Sequence, residues 1–82
     1  HYKMFFTYIL ECADGTYYIG STSDIDRRVL EHNSSKRGAH YTKIRRPVVL
    51  RYTESFDTMS SAKKREAMLK KLTRIQKETL WK

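Results

Sequence analysis

Phe6–His32 reads FTYILECADGTYYIGSTSDIDRRVLEH, and its reading decides the fold. Two tyrosine-bearing apolar runs, Phe6-Thr7-Tyr8-Ile9-Leu10 and Tyr17-Tyr18-Ile19-Gly20, flank the turn-forming Ala13-Asp14-Gly15. Asp-Gly between two β-prone runs is the strongest short-range hairpin signal. The spacing predicts a strand from Phe5 to Cys12 and its partner from Thr16 to Ser21. Alternation then puts Phe6, Tyr8 and Leu10 on one face and Thr7, Ile9 and Glu11 on the other, with Tyr18 and Gly20 opposite Tyr17 and Ile19. Gly20 either admits a ligand close to the backbone or bends the chain into the next loop. Ser23 followed by Asp26 resembles a capping box, opening a helix from Asp24 to about Asn33. At 100° per residue Ile25, Arg28, Val29 and His32 share one sector, while Arg27 and Glu31 point outward. A cation beside a buried stripe needs a partner.

Outward from this stretch, Ser34 to Arg46 (SSKRGAHYTKIRR) reads as a basic loop with one short helical turn, closed by Pro47. Val48 to Thr53 is a third strand. Ser60 to Leu72 is a helix with Ala62, Glu66 and Leu69 on one face, and Thr73 with Gln76 forms a capping box for a last short helix ending near Trp81. The order β-β-α-β-α-α predicts an α+β domain, a small sheet with helices packed on it. One domain over 4–82 is expected. Met4 is the expected natural start, and His1 to Lys3 stay outside the functional argument.

The 82 residues carry 17 Lys+Arg against 9 Asp+Glu, a formal charge of +8. In so small a domain that excess points to a polyanion as partner, with a merely solvated basic surface as the plain alternative. The lone Cys12 forms no internal disulfide, which fits a reducing cytoplasm. No apolar run approaches the ~20 residues of a membrane span, so a membrane partner is not expected.

Several side chains could carry chemistry. A phosphodiester hydrolase needs a group to activate water, a cation to stabilise the pentavalent phosphate, a proton relay, and a carboxylate-held Mg²⁺. Tyr8, Arg28, His32 and Glu66 can fill those four roles. Each also has a plainer reading: Tyr8 and Tyr18 as core tyrosines, Arg28 in an ion pair with an acid such as Glu66, His32 at a helix C-terminus, and His40 as a surface residue or phosphate contact. Ligation by one carboxylate, waters and phosphate suits Mg²⁺; one Cys and two usable His do not build a closed zinc site. For nucleic-acid contact the candidates are Lys36, Arg37, His40, Lys43, Arg45 and Arg46, with Lys63, Lys64, Lys70 and Lys71 as a second patch.

Phe6-Thr7-Tyr8, Tyr18-Ile19-Gly20, Arg28, His32 and Glu66 together resemble the motif set of the GIY-YIG nuclease superfamily. The pattern is closest to its small stand-alone bacterial branch, of the UPF0213 type. Tyr8-Ile9-Leu10-Glu11-Cys12-Ala13-Asp14-Gly15, the Asp24 to Asn33 segment, and His40-Tyr41-Thr42 before Arg46-Pro47 carry that branch's pattern, and the resemblance covers nearly the whole chain from Met4. It implies a three-stranded antiparallel sheet flanked by helices, and hydrolysis of nucleic-acid phosphodiesters with Mg²⁺ (or Mn²⁺). Carried over by position, Tyr8 activates the attacking water, Tyr18 positions it or the phosphate, Arg28 stabilises developing charge, His32 assists proton transfer, and Glu66 holds the metal. A tyrosine of pKa ~10 is a poor base at neutral pH, so its proton must leave toward a metal hydroxide or into the field of Arg28. Phe6-Thr7 stands where the family name has Gly-Ile, and the late Asn of the wider family has no assigned position. Many members gain specificity from an attached DNA-binding domain; 82 residues leave no room for one, so low selectivity, or a protein partner supplying it, is expected.

The expected function is a metal-dependent endonuclease acting on DNA ahead of RNA. The rival is a non-catalytic nucleic-acid-binding module that keeps the fold, since binding phosphate needs only Lys and Arg. A structural protein with incidental charge comes third.

Overall fold

The structure, a computed structural model, describes residues 3–34 and 40–82. Its elements run β1 (Phe5–Glu11), β2 (Tyr17–Thr22), α1 (Ile25–Ser34), α2 (His40–Lys43), β3 (Val49–Phe56), α3 (Met59–Lys70) and α4 (Arg74–Glu78). The three strands form one antiparallel sheet in the order β2-β1-β3. The expected α+β architecture is the observed one.

The hairpin forms where Asp-Gly places it. Gly15 sits at φ +84°, a left-handed conformation that costs glycine little. Asp14 Oδ1 accepts from the Thr16 amide at 3.1 Å and from its hydroxyl at 2.6 Å, a local bond set that favours a turn. The strand then pairs Leu10 with Tyr18 and Tyr8 with Gly20.

β1 is central, and Thr7, Tyr8, Ile9 and Leu10 are all buried, because helices cover both faces of the sheet. Tyr8, Leu10, Cys12 and Val48 form one core, with Tyr18, Ile25, Val29 and Leu50 against it. Ile9, Ile19 and Leu69 form the other, flanked by Tyr17, Tyr52, Leu72, Leu80 and Trp81. The α3 backbone comes close enough for Thr7 Oγ1 to donate to the Ala62 carbonyl at 2.6 Å. Leu50 and Tyr52 serve opposite cores although they are two residues apart. The register shift between Ile9 and Leu10 accounts for this, since an extra residue in one strand reverses the facing of the residues beyond it.

Five local expectations are corrected. The α1 cap is Asp24, not Ser23: its Oδ1 accepts from the Arg27 amide at 3.2 Å, so the carboxylate one residue further on takes the capping role. The third strand continues to Phe56, and α3 starts at Met59 with Thr58 as its cap. Gly20 lies within β2 rather than bending the chain, and a Cβ there would lie 2.5 Å from Tyr8 Oη, so the missing side chain makes room for the phenol. Glu31 does not simply point outward, since its side chain is 17% exposed and is held between Arg27 and Arg28.

Candidate active site

The strand pairing sets the first pieces. Tyr8 on β1 and Tyr18 on β2 project from the same face, and α1 lies across it with Arg28 and His32 one turn apart. His32 is completely buried and Tyr8 is 1% exposed. Tyr8 Oη lies 3.0 Å from His32 Nε2, and His32 Nδ1 lies 2.7 Å from Thr42 Oγ1 of α2. The Tyr18 ring packs on the imidazole with centroids 5.1 Å apart and reaches Tyr41 at 6.0 Å. The sequence therefore brings Tyr8, Tyr18, Arg28 and His32 into one cluster.

Burial governs the electrostatics here. It pushes the Tyr8 phenol up to about 12, although the Arg28 guanidinium, bonded to the phenol and acting through its charge, pulls the other way. The field of Arg28 favours the phenolate as expected, but desolvation outweighs it in the resting site. Burial likewise drives His32 down to about 4, helped by the charges of Arg28 and Arg46. His32 is thus neutral, donating through one ring nitrogen and accepting through the other. Arg28 is held the opposite way: burial favours losing its charge, but Tyr8 and Glu31 bond to it and raise its pKa. Its Nη1 sits 3.1 Å from Glu31 Oε1.

Glu66 arrives from the other face. α3 packs on the Ile9 and Ile19 side, the face that Ser21 of β2 shares, and there Glu66 accepts a hydrogen bond from Ser21 Oγ. Its second oxygen pairs with Lys70 at 2.8 Å. The ion pair of Arg28 with Glu66 considered from the sequence is replaced by Arg28 with Glu31 and Glu66 with Lys70. Burial raises the Glu66 carboxyl, but the bonds from Lys70 and Ser21, with the charges of Lys70 and Lys63, outweigh it and hold the group below its usual value. Its charge still acts on Tyr8, and Lys70 senses Tyr18, so one electrostatic neighbourhood spans both sides of the edge strand.

A divalent ion can be tested against this donor set. Among the described residues no three metal-binding side chains cluster. An ion would rest on the single ionised carboxylate of Glu66, with water and phosphate oxygens in the remaining positions, a mode Mg²⁺ accepts. Ser21 and Lys70 each already bond one carboxylate oxygen; Lys70, whose side chain is 57% exposed, is the partner an ion would displace. The residues fit the ion.

Beside Arg28 a cleft of about 270 Å³ opens among Thr22, Ser23, Asp24, Arg27 and Glu31. The basic segment is divided in its roles. Arg45 bonds Asp14 at 3.0 Å and stacks 3.9 Å over the Tyr41 ring. Arg46 donates to the His32 carbonyl at 2.5 Å and the Glu31 carbonyl at 3.3 Å, closing the C-terminus of α1. Lys43 is half-buried at the end of α2. Lys36 and Arg37 lie outside the described residues, as does the side chain of His40.

Sequence reasoning missed Thr42, Ser21 and the role of Glu31. Thr42 sits in a polar, basic stretch that reads as solvated, yet it is completely buried. The usable signal was its place in the His40-Tyr41-Thr42 run that carries the family resemblance; the contact with His32 forms only once α2 folds back.

Comparison with known proteins agrees with this geometry. Residues 4–79 match the GIY-YIG catalytic domain. A UPF0213 protein of Halobacterium salinarum is 55% identical over 78 residues, covering 95% of this chain and all of the relative. The solution NMR structure of protein EF2693 from E. faecalis superposes with a TM-score of 0.63 at 51% identity, covering 94% of this chain and 81% of that one. That of the UPF0213 protein BH0048 from Bacillus halodurans gives 0.58 at 43%, with the same coverage. Relatives in an archaeon as well as in bacteria carry the branch beyond the bacterial range expected, and the chain belongs to the GIY-YIG family.

Proposed function

We propose that this protein is a metal-dependent endonuclease that hydrolyses DNA phosphodiesters with low sequence selectivity. The observation that carries the reading is Arg28 and His32 Nε2 converging on one hydroxyl, Tyr8 Oη, with the Glu66 carboxylate held by Ser21 on the other face of the edge strand and acting on Tyr8 through its charge. Membership in a nuclease superfamily whose members generally use divalent metals supports it. Binding of phosphate alone would not need a buried tyrosine–histidine pair.

In this reading Tyr8 takes a proton from the attacking water as it hands its own to His32 Nε2, so no free phenolate is required, and the relay run in reverse returns the proton from His32 through Tyr8 to the leaving oxygen. Arg28 faces the charge that develops on the phosphate, and removal of such a donor costs on the order of 10²–10³ in rate. Tyr18 orients water or phosphate from β2. Glu66 would hold Mg²⁺ or Mn²⁺, which supplies Lewis-acid polarisation of a phosphoryl oxygen. Lys36, Arg37, His40, Lys43, Arg45 and Arg46 would track the backbone, the last two from positions fixed by their own bonds. A protein partner would supply specificity, in a cytoplasmic setting that keeps Cys12 reduced.

The test is cleavage of plasmid, single-stranded and branched DNA with Mg²⁺ or Mn²⁺, with EDTA, Glu66→Ala and Arg28→Ala as controls. Metal-dependent cleavage lost in both variants is the expected result. Cleavage that persists in Glu66→Ala removes it as the metal ligand. A second reading has its own support: Tyr8 is protonated and buried, and Lys70 already pairs with Glu66. Salt-sensitive binding without cleavage would favour that non-catalytic binding module.

A further inference from the structure

We infer that Thr42 is a positioning residue of the site: its hydroxyl oxygen accepts the Nδ1 proton of His32 and so holds the ring in the orientation that aims a bare Nε2 at Tyr8. The catalytic consequence rests on the proposed nuclease reading; the tautomer itself does not.

The direction of the bonds comes from counting protons. Tyr8 Oη is buried and carries one proton, which needs an acceptor. Among the described residues two groups reach that oxygen. Arg28 is a guanidinium with donors only, so it cannot take the proton. His32 Nε2, 3.0 Å away, can, and Tyr8 therefore donates to it. A neutral imidazole with Nε2 accepting carries its hydrogen on Nδ1, and the hydroxyl oxygen 2.7 Å from Nδ1 is that of Thr42. The opposite tautomer would place two donors, Nε2–H and Arg28, on Tyr8 Oη and leave the phenol proton pointing into the core.

The packing is consistent with a built arrangement. Thr42 and His32 are both completely buried, and Tyr8 is nearly so; no buried side-chain nitrogen or oxygen among the described residues lacks a partner. α2, the single turn that carries Thr42, is held by Arg45, whose amide bonds the Thr42 carbonyl at 3.0 Å and whose guanidinium stacks on Tyr41. A hydroxyl orients the imidazole without adding charge. This differs from a carboxylate in the same place, which would stabilise an imidazolium and raise the histidine pKa. Thr42 thus suits a histidine that rests neutral, with Nε2 ready to accept from Tyr8.

The first measurement is ¹⁵N–¹H NMR of the His32 ring in the full chain at neutral pH. Nδ1 protonated and Nε2 bare is expected. The reverse pattern overturns the inference whether or not the protein cleaves DNA. Thr42→Val keeps the shape and removes the acceptor; it should disturb the His32 nitrogen shifts and lower kcat about 10–100-fold with little change in KM, and Thr42→Ser should restore both. Unchanged ring shifts in a folded Thr42→Val would overturn it as well. Absence of nuclease activity in the wild type would sink the proposed function, while the ring nitrogens would still decide the role of Thr42.

Discussion

Tyr8 owes its position to the absence of a side chain at Gly20. The two residues face each other across β1 and β2, and the ring lies where a Cβ at Gly20 would lie. In Gly20→Ala the methyl would meet the phenol as well as its ring carbon at 2.7 Å, and neither neighbour is the loose end of a flexible chain. Overpacking of this kind costs about 1–3 kcal/mol, so the urea midpoint should fall with the slope unchanged, and the Tyr8 to His32 bond should be lost. A midpoint equal to wild type would mean that the phenol moves freely. His32 gives a second expectation at the same scale. Its folded pKa of about 4 lies below the unfolded 6.5, so the unfolded state binds the extra proton. Stability is complete above pH 6.5 and is lost as the pH falls toward 4, by roughly 3 kcal/mol. His32→Phe should be less stable at pH 7 yet show a flatter fall across that window; a parallel fall would place the titration elsewhere.

At the scale of elements, α1 matters because it delivers Arg28 and His32 together, and its far end is stitched to β3. The Asn33 side chain donates to the Val48 carbonyl at 3.1 Å and accepts from the Val48 amide at 2.7 Å, while Arg46 closes the last carbonyls. Asn33→Ala removes both bonds and leaves two backbone groups at the entry to β3 without them. About 2–3 kcal/mol of destabilisation is expected, read as a lower thermal midpoint together with faster exchange of the Val48 amide; unaltered exchange would mean the stitch is not carried by Asn33. The elements also differ in how legible they were. The hairpin and the Thr73 to Gln76 capping box stand in the sequence because a few adjacent residues determine them. The sequence reading places the cap at Ser23, and Asp24 takes it because both are cap formers and the first helical turn, starting at Ile25, decides between them. The bulge in β3 has no local marker: Leu50-Arg51-Tyr52 alternates like any strand, and only packing against two separate cores reveals the reversal. Tyr8, Tyr18, Arg28 and His32 were found together because a strand period and a helix period place them. Thr42 and Glu31 were not, because their importance comes from partners brought near by the chain's return.

For the whole molecule, the charge of +8 is less free than the composition suggests. Arg27, Arg28, Arg45, Arg51, Arg65, Lys70, Arg74 and Lys82 each pair with a carboxylate. Such pairs are worth little to stability when exposed, but they reduce the field those cations present to a polyanion. Lys63 and Lys64 are exposed on α3 and pair with no carboxylate among the described residues. The charge of Lys63 already acts on Glu66, which puts this lysine beside the proposed metal ligand rather than on a remote surface. A strand threading past Glu66 would meet it. Each phosphate neutralised changes the slope of log K against log salt by about 0.9 on duplex DNA. Lys63→Ala should therefore make the slope shallower by about that amount and weaken binding to all sequences alike. Arg51→Ala, which removes a cation already matched by Glu11 at 2.9 Å, should leave the slope nearly unchanged. Equal slopes in Lys63→Ala and wild type would take the DNA path off α3 and leave the basic segment before β3 as its track.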